Sequence, residues 1–362
     1  MSAGPLDGVR VVELASLAPA PFGCMLLADL GADVVRVERP RPGRGIQAPP
    51  GPLDRGRRSV ELDLGERADS AVLRELLRKA DVLIEGFRPG VAERLGLGPD
   101  DVLRENPRLV YGRMTGWGQT GPMAGEAGHD INYIALAGAL EPIGAAGERP
   151  IPPLNLVGDF GGGGLLLAFG IVAALLERER SGRGQVVDAA MVDGANLLMT
   201  FLHGLKAAGW WDGSRGENLL DSGAPFYDTY ACADGAFVAV GCIEPEFYAE
   251  FLRLAGLDAD GLGAQYDRGT WAAQRAAFAR RLATRTRDEW AAVFAGSDAC
   301  VTPVLTPWEA HRHEHHRERG AFVTVDDVRQ PAPAPRFSRS QLGVPRSPQR
   351  GVDVDAILRG WA

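Results

Sequence analysis

The chain has 362 residues, 45% hydrophobic and 24% charged, enough for one large core and a smaller second one. Its formal net charge of −8 argues against a general nucleic-acid binder. The four cysteines, Cys24, Cys232, Cys242 and Cys300, are scattered and never form a C-x-x-C pair. A disulfide framework or zinc site is therefore not expected, and a reducing, cytoplasmic setting is.

Residues 9–14 form a β-branched run that predicts a buried strand, and 21–30 have helical apolar spacing that stops at Gly31. Residues 34–37 predict a second buried strand. Strand, helix and strand within so short a stretch make a βαβ unit and hence a parallel sheet. The first apolar run is short and carries Arg10 and Glu13, unlike a secretory signal. Glu38 stands where a dinucleotide-binding fold places its ribose-binding acid. The turn after the first strand, Ala15 to Pro21, nevertheless lacks the glycine fingerprint, so a nicotinamide enzyme is disfavoured.

Between Arg36 and Arg58 seven arginines face only Glu38 and Asp54, a local +5. The chain has only two lysines, Lys79 and Lys206, so its basic chemistry is guanidinium chemistry, which suits phosphate oxygens. The run predicts either phosphate recognition or a solvated basic loop, broken by Pro40, Pro42, Pro49, Pro50 and Pro52.

Further along, a helical turn at 73–78 leads to a strand at 82–84, and 109–111 predict a fourth strand. Gly116 to Gly121 spells G-x-G-x-x-G, but Pro122 follows where a nucleotide loop needs a helix to open. Asp159-Phe160-Gly161 spells a kinase motif without the H-R-D loop that should precede it. Residues 165–176 are apolar yet too short to span a bilayer and predict a buried helix, so no membrane partner is expected. A strand is predicted at 185–191 and another at 237–240, with Glu244 just beyond it. Amphipathic helices are predicted at 272–282 and 288–294, and a last helical piece at 354–358. No internal repeat is present.

Four of the six histidines, His311, His313, His315 and His316, crowd together. Interspersed arginines and the missing H-E-x-x-H favour a solvated helix face over a metal site. His203 lies in an apolar helical run and reads as a core or interface residue. His129 is the one histidine in a glycine-bounded polar setting, open to a role as general base or to bonding a loop carbonyl. Asp159 has Gly158 before it and four glycines after it, ahead of the long helix. It can be an N-cap, an acid or base beside an oxyanion cradle of bare N–H groups, or both. No G-x-S-x-G elbow supports a serine hydrolase.

These features, with the stretches 6–14, 29–35, 81–90, 114–122, 127–133, 152–163, 185–194, 223–230 and 238–248, resemble the family III CoA-transferase superfamily, and within it the α-methylacyl-CoA racemases. The resemblance implies an α/β fold: a Rossmann-like large domain, its parallel sheet completed by the C-terminal segment, plus a smaller α+β domain. The boundaries it implies are 1–195 with 325–362 for the large domain, 221–305 for the small one, and linkers at 196–220 and 306–324. It implies an interlocked homodimer with active sites between subunits and an acyl-CoA thioester as substrate, with no metal or redox cofactor. His129 and Asp159 would be the two bases on opposite faces of the α-carbon of a 2-methylacyl-CoA, and Glu244 would pair with His129. The enolate oxygen would be held by N–H groups near Asp159.

For CoA, the resemblance implies contacts from Arg39, from Leu62, Asp63, Leu64 and Gly65, from Gly86, Phe87 and Arg88, and from Arg94. Gly128, Asp130, Ile131, Asn132 and Tyr133 would line the pantetheine end. Relatives commonly carry a lysine where Gly65 stands, so a phosphate contact would be lost or supplied by Arg57 or Arg58. The competing reading is a CoA-transferase with Asp159 as nucleophile, an enzyme that generally lacks the histidine at 129.

Overall fold

The computed structural model describes residues 4–40 and 51–361. Its elements run β1 (Arg10–Leu14), α1 (Pro19–Asp29), β2 (Asp33–Glu38), β3 (Arg57–Glu61), α2 (Arg67–Lys79), β4 (Val82–Glu85), α3 (Val91–Arg94), α4 (Pro99–Glu105), β5 (Val110–Thr115) and α5 (Asp130–Leu136). There follow a π-helical segment (Leu156–Leu165), α6 (Leu166–Ser181), β6 (Val186–Ala190) and α7 (Met191–Leu198). The six strands form one sheet in the order β3-β2-β1-β4-β5-β6, every pair parallel. This is the order of a doubly wound fold, in which the chain reverses direction across the sheet between β1 and β4.

Strands buried on both faces must be apolar at successive positions. Val11, Val34, Val82, Ile84 and Val110 face one core, with Leu167 and Ile171 of α6 packed on them. Val12, Val35, Leu83 and Tyr111 face the other, with Leu73, Leu76 and Leu77 of α2 and Ile357 of the terminal helix. The period of two thus feeds two cores from one sheet.

Four arginines of the basic run, Arg36, Arg55, Arg57 and Arg58, behave differently from either expectation. The end of the run, Arg57 and Arg58, opens β3, a strand whose Arg57 and Ser59 are buried. Glu13, fully buried near the carboxyl end of β1, lies opposite Arg36 in the register and binds both Arg36 and Arg57. Arg55 pairs with Asp29 and Arg58 with Asp33. Arg41 and Arg44 lie outside the described residues, and Arg39 is exposed just past the end of β2. Lattice-like pairing of guanidinium and carboxylate across three strands therefore absorbs most of the described arginines.

Residues 346–352 run beside β3: Gly56 N–H donates to Arg346 O (2.7 Å), Ser59 N–H to Gln349 O (2.7 Å) and Gln349 N–H to Arg57 O (2.9 Å). The C-terminal segment thus completes the sheet edge. The later elements of this unit are α12 (Glu314–Glu318), β10 (Phe322–Val325), β11 (Val328–Pro331) and α13 (Val354–Gly360). Between α7 and α12 come α8 (Thr200–Ala207), β7 (Tyr227–Ala231), β8 (Phe237–Gly241), α9 (Pro245–Ala255), α10 (Trp271–Leu282), α11 (Arg287–Phe294) and β9 (Val301–Pro303).

The chain divides into two units, Met1–Ala137 with Pro153–Leu198 and Glu314–Ala362, and Gly138–Pro152 with Met199–His313. Residues 138–152 go with the second unit because Arg215 donates to the carbonyls of Glu141 (2.7 Å) and Glu148 (2.5 Å). That unit has its own antiparallel sheet, β7-β8-β9, over a core of Phe226, Phe251, Phe278, Trp290 and Phe294.

The apolar helix is longer than its composition suggests. It runs unbroken from Leu156 to Ser181, 26 residues, long and apolar enough to cross a bilayer by length and composition alone. Only one face of it is buried against the sheet. Phe169 is 70% exposed and Leu176 69% exposed, so the expected buried helix is buried on one face only.

Candidate active site

A cavity of about 440 Å³ opens at the carboxyl ends of β1, β4 and β5, at the point where the strand order reverses. Loops at such a point diverge to opposite faces of the sheet and leave a cleft, the usual ligand site of this architecture. The walls are Ser16 to Pro19 after β1, Gly86 to Pro89 after β4 and Thr115 to Trp117 after β5, with His129, Tyr133 and Asp159. Sequence reasoning picked His129, Asp159, Gly86, Phe87, Arg88, Gly128 and Tyr133 from this set. It missed Ser16, Trp117 and Met191. The switch-point rule applied to the loop after the first strand would have flagged Ser16.

Each wall is fixed by a specific contact. Glu85, buried at the end of β4, accepts from Phe87 N–H (2.6 Å) and from Arg113 Nε (2.9 Å), which pins the loop bearing Arg88. Burial pushes the Glu85 carboxyl up, while the Phe87 N–H and Arg113 pull it down. The Tyr133 hydroxyl donates to Gly128 O (2.5 Å), and its ring meets Trp117 edge-on at 4.7 Å. A Cβ at Gly116 would fall 2.2 Å from that ring, so glycine there makes room for the tyrosine.

His129 is exposed, in extended backbone immediately before α5. The Asn132 side chain accepts from His129 N–H (3.0 Å), and Asn132 N–H donates to His129 O (2.8 Å). This reciprocal turn holds the histidine backbone at the helix start. Asn132 is thereby occupied locally, and Ile131 is exposed beside it.

Asp159 sits in the first turn of the π-helical segment, with Asn155 rather than Asp159 at the cap position. Its Oδ2 accepts from Asn155 Nδ2 (3.0 Å). Burial pushes the Asp159 carboxyl above its usual range, the Asn155 bond pulls it back, the nearby Asp130 charge adds to the rise and His129 opposes it. A raised carboxyl and an imidazole on one cavity wall are groups able to exchange protons with the same ligand.

The glycines after Asp159 are not a bare cradle. A Cβ on Gly162 would lie 2.7 Å from Ala195 N, and one on Gly164 would lie 2.4 Å from Pro19 O. They exist so that α1 and α7 can approach the segment closely. The Asp159 N–H, moreover, donates to Asp130 Oδ1 (2.7 Å) and is not available to an oxyanion. The second point withdraws the Asp159 N–H from the expected anion cradle at this helix start.

The other sequence candidates do not line this cavity. Leu62 to Gly65 follow β3, and Leu62 N–H donates to Glu38 O (2.9 Å) beside Arg39. Asp63 closes a local turn by accepting from Gly65 N–H (3.0 Å). Arg94 ends α3 and is exposed. Neither Arg57 nor Arg58 replaces the lysine missing at Gly65 as a free cation, because both are paired with carboxylates. Glu244 belongs to the second unit, exposed at the start of α9, where its charge bears on Cys242, Tyr266 and Cys300. Among the described residues no group of three His, Cys, Asp or Glu side chains is placed to hold a metal, the histidines at 311–316 included.

A doubly wound parallel sheet with a carboxyl and an imidazole in its switch-point cleft defines an α/β protein built for acid–base or acyl-transfer chemistry. The chain belongs to CoA-transferase family III, whose profile matches residues 6–354. It is 51% identical to an alpha-methylacyl-CoA racemase of Mus musculus over 98% of this chain and 93% of that one. It is 50% identical to the Homo sapiens alpha-methylacyl-CoA racemase over 98% of this chain and 92% of that one. A solved CAIB/BAIF family protein from Brucella suis superposes with a TM-score of 0.84 at 26% identity, covering 99% of this chain and all of its own.

Proposed function

We propose that the chain is an isomerase that interconverts (R)- and (S)-2-methylacyl-CoA thioesters by proton transfer at one carbon. One observation carries the reading: His129 and Asp159 share the wall of a single cavity in a chain half identical, over nearly its whole length, to two α-methylacyl-CoA racemases.

The thioester carbonyl acidifies the α-hydrogen, and the protein supplies placement and charge. In one direction the Asp159 carboxylate takes the α-proton, and the C–H electron pair moves into the carbonyl to give an enolate. Protonated His129 lies beside that negative charge and then returns a proton to the opposite face. The reverse direction exchanges the two roles. Atoms and charge balance without a metal or redox cofactor. Glu244 is proposed to orient His129. The CoA part is proposed to run along the carboxyl edge of the sheet, past Arg88 toward Leu62 to Gly65 and Arg39. That edge gathers the loops after β2, β3 and β4, all on the cavity side. Homodimerisation is proposed to cover the exposed apolar face of the π-helical segment, α6 and α7, which includes Leu165, Phe169, Leu176 and Leu197.

A CoA-transferase would use Asp159 as a nucleophile instead of a base. Extensive identity to racemases disfavours it. Proton NMR of (S)-2-methylacyl-CoA with the enzyme in D₂O, without acceptor acid, separates the two. Loss of the α-proton signal with formation of both epimers supports the racemase. Retention of the α-proton with CoA moving to added succinate overturns it.

A further inference from the structure

Asp130 is 7% exposed, and no arginine or lysine pairs with its side chain among the described contacts. A buried carboxylate without a counter-ion is costly, so its retention calls for a reason. Its Oδ1 accepts from Asp159 N–H at 2.7 Å, while its Oδ2 is buried without any partner. The approach is possible only because Gly158 has no side chain, since a Cβ there would lie 2.5 Å from Oδ1. Two segments nearly thirty residues apart are thus joined through a carboxylate and a glycine, one residue from each of the proposed bases.

We infer that Asp130 is a positioning residue for proton transfer: one carboxylate oxygen fixes the backbone of Asp159, and the other leaves an uncompensated negative charge beside the Asp159 side chain. The inference rests on the reading of Asp159 as an acid–base group. The tether sets where the Asp159 carboxyl meets the substrate carbon. The second charge disfavours ionisation of Asp159, adding to burial, and makes its carboxylate a stronger base toward the α-proton. His129 acts in the opposite sense on Asp159. Tyr133 and Arg88 stand on the same cavity wall, and burial together with the Asp159 charge also pushes the Tyr133 phenol up. The residues of α1 and α7 that touch this segment, Pro19, Phe22, Met191 and Ala195, bring no ionisable group.

Asp130→Asn keeps an oxygen for the Asp159 N–H and drops the charge, whereas Asp130→Ala removes both. In the D₂O exchange assay Asp130→Ala should lose roughly 10²-fold in kcat, the scale of an ångström-sized misplacement. Asp130→Asn should retain more activity than Asp130→Ala and move the acidic limb of the pH profile of kcat/KM to lower pH. Equal rates in the two variants overturn the tether, and an unmoved limb overturns the charge effect. Carboxyl ¹³C titration of Asp159 in the substrate-free chain, assigned with Asp159→Asn, gives a second readout that needs no turnover. There Asp130→Asn should lower the Asp159 midpoint even if wild type exchanges no α-proton, a result that would sink the racemase reading alone. An unchanged midpoint overturns the charge effect even if Asp130→Ala does not fold.

Discussion

Gly158→Ala isolates the contact that joins the two halves of the site. The added Cβ would sit 2.5 Å from Asp130 Oδ1 and 3.2 Å from Ile134 Cγ2. Comfortable packing needs about 3.5 Å, so one side must retreat by about 1 Å. Asp130 is buried and cannot swing to solvent. Retreat stretches the 2.7 Å bond from Asp159 N–H past about 3.5 Å, beyond any useful hydrogen bond. The expected cost is about 1–3 kcal/mol in stability, for leaving a buried donor unsatisfied. Shifting Asp159 by that distance should lower kcat by about 10²-fold. Urea unfolding and α-proton exchange on the same preparation measure both. Gly125→Ala is the control, because its Cβ would meet nothing within 4 Å. Wild-type exchange and stability in Gly158→Ala would refute the argument that this contact sets the site.

His129→Ala and Asp159→Ala should each reduce exchange by at least ~10²-fold, the low end for a positioned acid–base group, and wild-type rates would remove either residue from the mechanism. Glu13→Ala removes the buried carboxylate shared by Arg57 and Arg36, leaving them only Asp54 (3.3 Å) and Glu38 (3.1 Å), and should cost about 3 kcal/mol by denaturant titration; a loss under about 1 kcal/mol would contradict the ion-pair account. Because folding raises the Asp159 carboxyl, the native state holds that proton more tightly than the unfolded chain does. The group therefore costs stability above its folded range, and the cost vanishes as pH falls below the unfolded value. Asp159→Asn should melt higher than wild type at pH 7, with the gap closing toward acid; a lower melting temperature at pH 7 would count against the burial argument. Arg39→Ala should mainly raise KM, and a fall in kcat alone would contradict a binding role.

The parallel sheet was legible because strands covered on both faces must be written in runs such as Val11-Val12 and Val34-Val35. β3 was not, since Arg57-Arg58-Ser59 carries charge into the interior and is neutralised by Glu13 from two strands away. His129 and Asp159 stood out through their glycine-rich settings, although the glycines after Asp159 turned out to serve helix contacts. Nothing in the local sequence distinguishes a π-helical turn from an α-helical one, so the π character of the stretch from Leu156 was invisible. Asp130 was read as a ligand contact beside its neighbours. Only the three-dimensional meeting with Gly158 and Asp159 reveals what its carboxylate does.

The edge formed by residues 346–352 bears on how the chain comes to be folded during synthesis. β3 emerges from the ribosome nearly three hundred residues before the segment that hydrogen-bonds to it, and Trp361 Nε1 donates to Asp33 Oδ2 (2.7 Å) across a still greater separation. Most of the second unit, residues 199–313, is contiguous and can assemble while the first still has an open flank. A nascent sheet with an unpaired edge is a site for wrong strand pairing. The charges along β3 that point outward, Arg58 and Glu61, guard that flank during the interval, since a charged edge strand discourages association with a neighbouring chain.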